Sequence, residues 1–129
     1  MEFRYELVPT HPPRFNVRSI ENALSAIPEV YVQEGAQREF LFCANVEARR
    51  QLGELLSQGE PVSYELLGVV VVHEARIHVH QMTTEAVLAK MQGFLLPLIE
   101  SYQCRVMVQG EDRTESYRTN WARLFCDEE

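Results

Sequence analysis

The run Leu66 to Gln81, LLGVVVVHEARIHVHQ, constrains the fold more than any other stretch of the chain. Its β-branched residues favour strand, and the polar interruption at His73, Glu74 and Ala75 predicts a tight connection between two strands, with a single long bent strand as the alternative. The first limb is apolar on both sides, which places it in the centre of a sheet. The second alternates, so that Ala75, Ile77 and Val79 are expected to turn inward while Arg76, His78 and His80 face away. A sheet built around this run has a core on one side and a polar, accessible patch on the other.

The remaining segments supply neighbours for that sheet. Glu2 to Val8 alternates, with Phe3, Tyr5 and Leu7 on one side and Arg4 and Glu6 on the other, which predicts a half-buried strand. Asn16 can cap a helix carrying Val17, Ile20, Leu24 and Ile27, closed by Pro28. Val30 to Gln33 and Glu39 to Ala44 read as a hairpin across Glu34, Gly35, Ala36 and Gln37. Asn45 caps a second helix through Ser57, with Val46, Leu52, Leu55 and Leu56 as its apolar stripe and Gly59 as its left-handed stop. Thr83 or Thr84 starts the longest helix, in which Val87, Met91, Phe94, Leu95, Leu98 and Tyr102 recur at helical spacing and Pro97 predicts a kink or an early end.

Cys104 to Val108 then reads as a strand ended by Gly110, and Glu111 to Glu115 as a charged turn. The last segment fits two periods. Tyr117, Trp121, Leu124 and Phe125 make a helical stripe, whereas Tyr117, Thr119, Trp121, Arg123 and Phe125 share one face of a strand; we read it as a strand or an irregular arm. Without repeats or long connections, residues 1–129 make a single α+β domain, with 111–129 as a C-terminal arm. The element order β-α-β-β-α-β is the supersecondary pattern of a ferredoxin-like sheet, antiparallel, with helices mainly on one face and a C-terminal helix-strand addition. Such architecture carries no function by itself.

Charge and composition remove several function classes. With 12 Lys and Arg against 19 Asp and Glu, the chain has a formal charge of −7 and lacks the basic surface that a phosphate-backbone binder needs, so nucleic acid is not an expected partner. Glu2, Arg4 and Glu6 interrupt any apolar leader, which predicts a cytoplasmic protein. The longest apolar run is far short of the roughly 20 residues of a membrane span. Cys43, Cys104 and Cys126 are odd in number and unpaired in spacing, so they read as reduced thiols, the first two as small buried hydrophobes. Lys90, the one lysine, fits a solvated helix face. No glycine pattern suits a phosphate cradle and no serine sits in a glycine-flanked elbow, so no cofactor is expected.

The sharpest chemical feature is His78-Val79-His80. Residues two apart on a strand project to the same side with Cα atoms about 7 Å apart, so the two imidazoles are candidate metal ligands. A zinc site would need a third ligand from His11, Glu65, His73 or Glu74. Glu74, Arg76, His78 and His80 together mix an acid with bases, a composition suited to a ligand- or partner-binding face or to proton transfer. Tyr117 and Trp121, among Arg113, Arg118 and Arg123, have the makeup of an interface anchor or of rings completing the core.

These readings favour a non-catalytic protein-binding module with a basic partner, drawn by the chain's negative charge. A concrete form is a bacterial immunity or antitoxin-type protein that occludes a cationic toxin's active site with glutamates, anchored by Trp121, Tyr117 or Tyr64. The alternative is a small-molecule-binding or metal-dependent enzyme or sensor using the face of Arg76, His78 and His80. A third option is a homo-oligomer paired through a sheet edge or the C-terminal arm.

Overall fold

A computed structural model describes residues 2–59, 66–82 and 85–119. In chain order the elements are β1 (Glu2–Val8), α1 (Val17–Ser25), β2 (Val30–Gln33), β3 (Glu39–Cys43), α2 (Val46–Ser57), β4 (Leu66–Val72), β5 (Ile77–Met82), α3 (Glu85–Tyr102), β6 (Arg105–Val108), β7 (Glu111–Asp112) and α4 (Thr114–Thr119). The strands form one sheet in the order β2-β3-β4-β5-β1-β6-β7, and every neighbouring pair is antiparallel. Among the described residues no helix is long and apolar enough to cross a membrane.

The central hairpin forms as the sequence implies. The His73 amide donates to the Arg76 carbonyl at 3.0 Å, leaving Glu74 and Ala75 as the loop. Ala75 is therefore exposed rather than buried, because it belongs to the turn and not to the alternation that follows. β4 is interior to the sheet: Val70 and Val72 join the core on one face, while Val71 is buried on the other. Its one glycine has a cause, since a Cβ at Gly68 would meet Gln81 Cβ and the His80 carbonyl at 2.9 Å and Met91 Cε at 3.0 Å.

The sheet is laid out as follows. The chain's first six elements do not close into one unit, because β1 lies between β5 and β6, with β3, β4 and β5 separating it from β2. The helices lie mainly on one face, as expected, with α2 the exception. Ile20 and Leu24 of α1 and Met91, Leu95 and Ile99 of α3 pack with Tyr5, Leu7, Phe40, Val70, Ile77, Val79 and Val106. Ala48 and Leu52 of α2 instead cover Leu41 and Cys43 on the reverse of β3. β3 is apolar on both sides, so a helix on one face alone would leave Leu41 in water. The stripe of α2 is accordingly Ala48 and Leu52, with Val46 and Leu55 exposed.

Local chemistry sets the element ends. Asn16 Oδ1 accepts from the Ser19 amide at 3.1 Å and Asn45 Oδ1 from the Ala48 amide at 2.7 Å, each satisfying a donor the first helical turn leaves open. α3 runs through Pro97 rather than ending there. Pro97 and Gly93 are both exposed, so water can satisfy the carbonyl that proline leaves unbonded, while buried Met91, Leu95 and Ile99 hold the helix to the sheet.

The expected charged turn at Glu111 to Glu115 is replaced by an earlier one. Gln109 and Gly110 both have positive φ, 51° and 83°, and make a two-residue loop that pairs Val108 with Glu111. Asp112 then accepts from the Thr114 amide at 2.9 Å and from its hydroxyl, so a helix starts where a strand or arm was expected. Residues 120–129, including Trp121 and Cys126, lie outside the described residues.

Candidate functional site

Alternation on β1, β4, β5 and β6 builds the site. Side chains that do not enter the main core emerge on the reverse face, and α2 covers only the β2 and β3 end of it. Across the rest of that face the register aligns side chains in rows. Val71, His78, Glu6 and Met107 form one row, and Val69, His80 and Arg4 the next. The outcome is a groove of about 570 Å³, floored by Val69, Val71 and Met107 and rimmed by Arg4, Glu6, Glu39, His78, His80 and the Gln109-Gly110 turn. This volume lies within the range of small-molecule sites, and an apolar floor with a few polar rim groups is their usual makeup.

One end of the rim is organised by Glu6. Its Oε1 accepts from Arg76 Nη1 at 2.7 Å, and its Oε2 lies 3.3 Å from His78 Nδ1. The contact to Nδ1 favours the tautomer that carries the proton there, which leaves Nε2 of His78 as the acceptor. The His73 ring stands edge-on to His78 at a centroid distance of 5.4 Å, contacting the imidazole from a second side. By contrast, Arg4 and Glu39 have no hydrogen-bond or ion-pair partner for their side chains among the described residues.

The structure sorts the sequence candidates. His78 and His80 both line the groove. Arg76 lies just before β5 and acts on the rim through Glu6. Glu74 is elsewhere: it sits on the exposed β4-β5 turn, 3.7 Å from Arg14. Tyr117 belongs to α4, but its side chain, like Trp121, lies outside the described residues. Among the described residues no three His, Cys, Asp or Glu side chains are grouped so as to hold a metal ion, so His78 and His80 find no third ligand there. Glu65, named as a third-ligand candidate, lies outside them.

Arg4, Glu6, Glu39, Met107 and Gln109 were not singled out in the sequence. The alternation of β1 does place Arg4 and Glu6 away from the core, yet only the pairing of β1 with both β5 and β6 brings them beside the histidines. The two thiols among the described residues stand apart from this site. Cys43 and Cys104 are buried, and burial pushes the Cys104 thiol up to about 12, so it stays protonated and unreactive. Lys90 Nζ is likewise engaged, donating to the Ala44 carbonyl at 2.7 Å. Arg49 Nε donates to the Val30 carbonyl at 2.8 Å, occupying an acceptor on edge strand β2. Compared with known proteins, the chain matches no family model, no curated protein and no solved structure.

Proposed function

We propose that this protein is a small-molecule-binding module, a sensor or carrier, whose ligand occupies the groove over β4, β5, β1 and β6. The observation that carries the reading is the groove itself: about 570 Å³, apolar at its floor, with two histidines, an arginine and two carboxylates on its rim. His78 is contacted by Glu6 and His73 on two sides, and restricting its imidazole in this way lowers the conformational cost of using it to orient a ligand. Amide chemical-shift mapping of the labelled protein against a mixed set of small organic fragments tests this. Shifts clustered at His78, His80 and Gly110 are expected; hits scattered over the surface, or none, defeat the reading.

A second reading is favoured by the charge of −7: an immunity or antitoxin-type protein of the cytoplasm that occludes a basic toxin. It predicts a stoichiometric basic partner whose association slows as salt rises. Salt-insensitive association would remove its electrostatic basis. In either case we read β1, α1, β4, β5, α3 and β6 as a ferredoxin-like unit into which β2, β3 and α2 are inserted. The support is that β5 and β6 both flank β1 and α3 connects them.

A further inference from the structure

We infer that the groove selects a zwitterionic ligand with an apolar middle, its carboxylate bound by Arg4 and its ammonium by Glu39, an assignment that rests on the small-molecule reading above. The two side chains are the rim's charged groups that lack a counter-charge among the described residues. Glu6, the other carboxylate, already accepts from Arg76 and touches His78. Holding a cation and an anion in a shared concave site without pairing them leaves each to be neutralised by something that enters it, and charge-assisted hydrogen bonds are the stronger class.

The geometry sets the ligand's length. Glu39 is on β3 and Arg4 on β1, with β4 and β5 between them, and Arg4 is two residues along its strand from Glu6. Three strand spacings and one two-residue step put the Cα atoms about 16 Å apart. An extended tripeptide spans at most about 10 Å, and the two side chains reach inward over the remainder. Between the charges lie Val69 and Val71 on β4, which suit an aliphatic middle residue, and His78 and His80 on β5, which flank the Arg4 end.

Net charge supports the zwitterion over a simple anion. A chain at −7 repels an anionic molecule at long range, whereas a ligand of zero net charge meets no such barrier and gains from both local contacts. At the Arg4 end, His80 opposes Arg4 in the register and the Gln109-Gly110 turn closes the groove, giving a donor-rich margin for a carboxylate. The chemistry is that of a short peptide or an amino acid with a long aliphatic spacer.

The test uses the whole labelled protein and four forms of the tripeptide alanyl-leucyl-alanine: both termini free, N-acetylated, C-amidated, and capped at both ends. The free form should move the amides of His78, His80 and Gly110 and bind at least about tenfold more tightly than either singly capped form. Arg4→Gln should erase the advantage of a free carboxylate and leave that of a free amine, and Glu39→Gln should do the reverse. Glu39→Gln keeps side-chain size, Arg4→Gln shortens an exposed side chain, and unchanged amide spectra elsewhere verify the folding of both. If all four forms move the groove amides with equal affinity, the zwitterion assignment is wrong while the groove remains a binding site. If no tripeptide moves them but neutral fragments do, the assignment again fails alone. If neither set does, the small-molecule reading falls with it.

Discussion

The two faces of the sheet use the same strands for opposite purposes. On one, α1 and α3 seal a layer in which Leu7, Phe40, Ile77 and Val106 have no measurable exposure. On the other, α2 covers β2 and β3 and stops, leaving His78 and Glu6 with side chains 47% and 32% exposed. Adjacent residues of one strand thus differ in role: Leu7 holds the fold, and Glu6 sets a rim. The contrast shows that a polar half-face can be spared from stability when its reverse is fully packed, since the net stability of a domain is small and must come from somewhere.

Substitutions at neighbouring positions would break that contrast if it is wrong. Leu7→Ala should lower unfolding free energy by about 2–5 kcal/mol, because it opens a cavity under α1 and α3. Glu6→Gln, one residue away, should cost less than about 1 kcal/mol, since the ion pairs it weakens are partly exposed. Urea unfolding of both variants decides the matter, and equal losses would mean the open face is structural. Glu6→Gln should still be visible at the site, as a weaker preference of the His78 imidazole for a proton on Nδ1, read from its ring nitrogen shifts.

A smaller effect is expected where the sealed face holds a polar pair. Tyr5 donates its hydroxyl to Gln81 Oε1 at 2.5 Å, with both side chains almost fully buried. Tyr5→Phe leaves the Gln81 carbonyl without that donor and should cost about 1–3 kcal/mol. Adding Gln81→Leu should recover part of the loss, because it removes the unsatisfied group. A double variant less stable than the sum of the singles would show that the pair does more than satisfy itself.

How far the sequence leads follows the same division between faces. The positions of β1, the β2-β3 hairpin, α1, the β4-β5 hairpin and α3 were legible because each has its own period, cap or turn residue. The α2 face was not. Its helix shows the same kind of stripe as α1, and only the apolar reverse of β3, Leu41 and Cys43, tells which side it must cover. The groove was half legible: His78 and His80 come from one strand, but Arg4, Glu39 and Met107 reach it from three others. Strand order depends on long-range pairing, which local periodicity does not encode. The β6-β7 turn was misplaced because Glu111 and Asp112 look like turn residues, while the positive φ at Gln109 and Gly110 marks the loop.

Alkaline pH should sharpen the comparison from the sealed side. Burial raises the folded Cys104 thiol from 9.0 to about 12, so the folded state keeps a proton that the unfolded chain has already lost in this window. The contribution is complete below about pH 9 and is lost as pH rises towards 12. Stability measured across that window should fall less steeply in Cys104→Ala, whose lower starting stability is a separate packing effect. Identical slopes would mean that the thiol is wetter than its burial implies.

The smallest expected effect lies at the groove's margin. Asp112 is held below the usual carboxylate range, first by its hydrogen bonds from Thr114 and less by Arg105. A depressed carboxyl contributes stability above its unfolded value, and that contribution is lost as pH falls through the folded one. Because the group is exposed, Asp112→Ala should cost no more than about 1 kcal/mol, the range of a lost local cap. Asp112→Asn should retain the acceptor for the Thr114 amide and lose only the acid dependence. The informative readout is local, since Asp112 pairs with Met107, a floor residue of the groove, and closes the hairpin carrying Gln109 and Gly110. If the open face is set by its rim and not by the core, Asp112→Ala should move the Gly110 and His80 amides while those of Leu95 and Val106 stay in place. Shifts that spread into the sealed layer would instead make the two faces one cooperative unit.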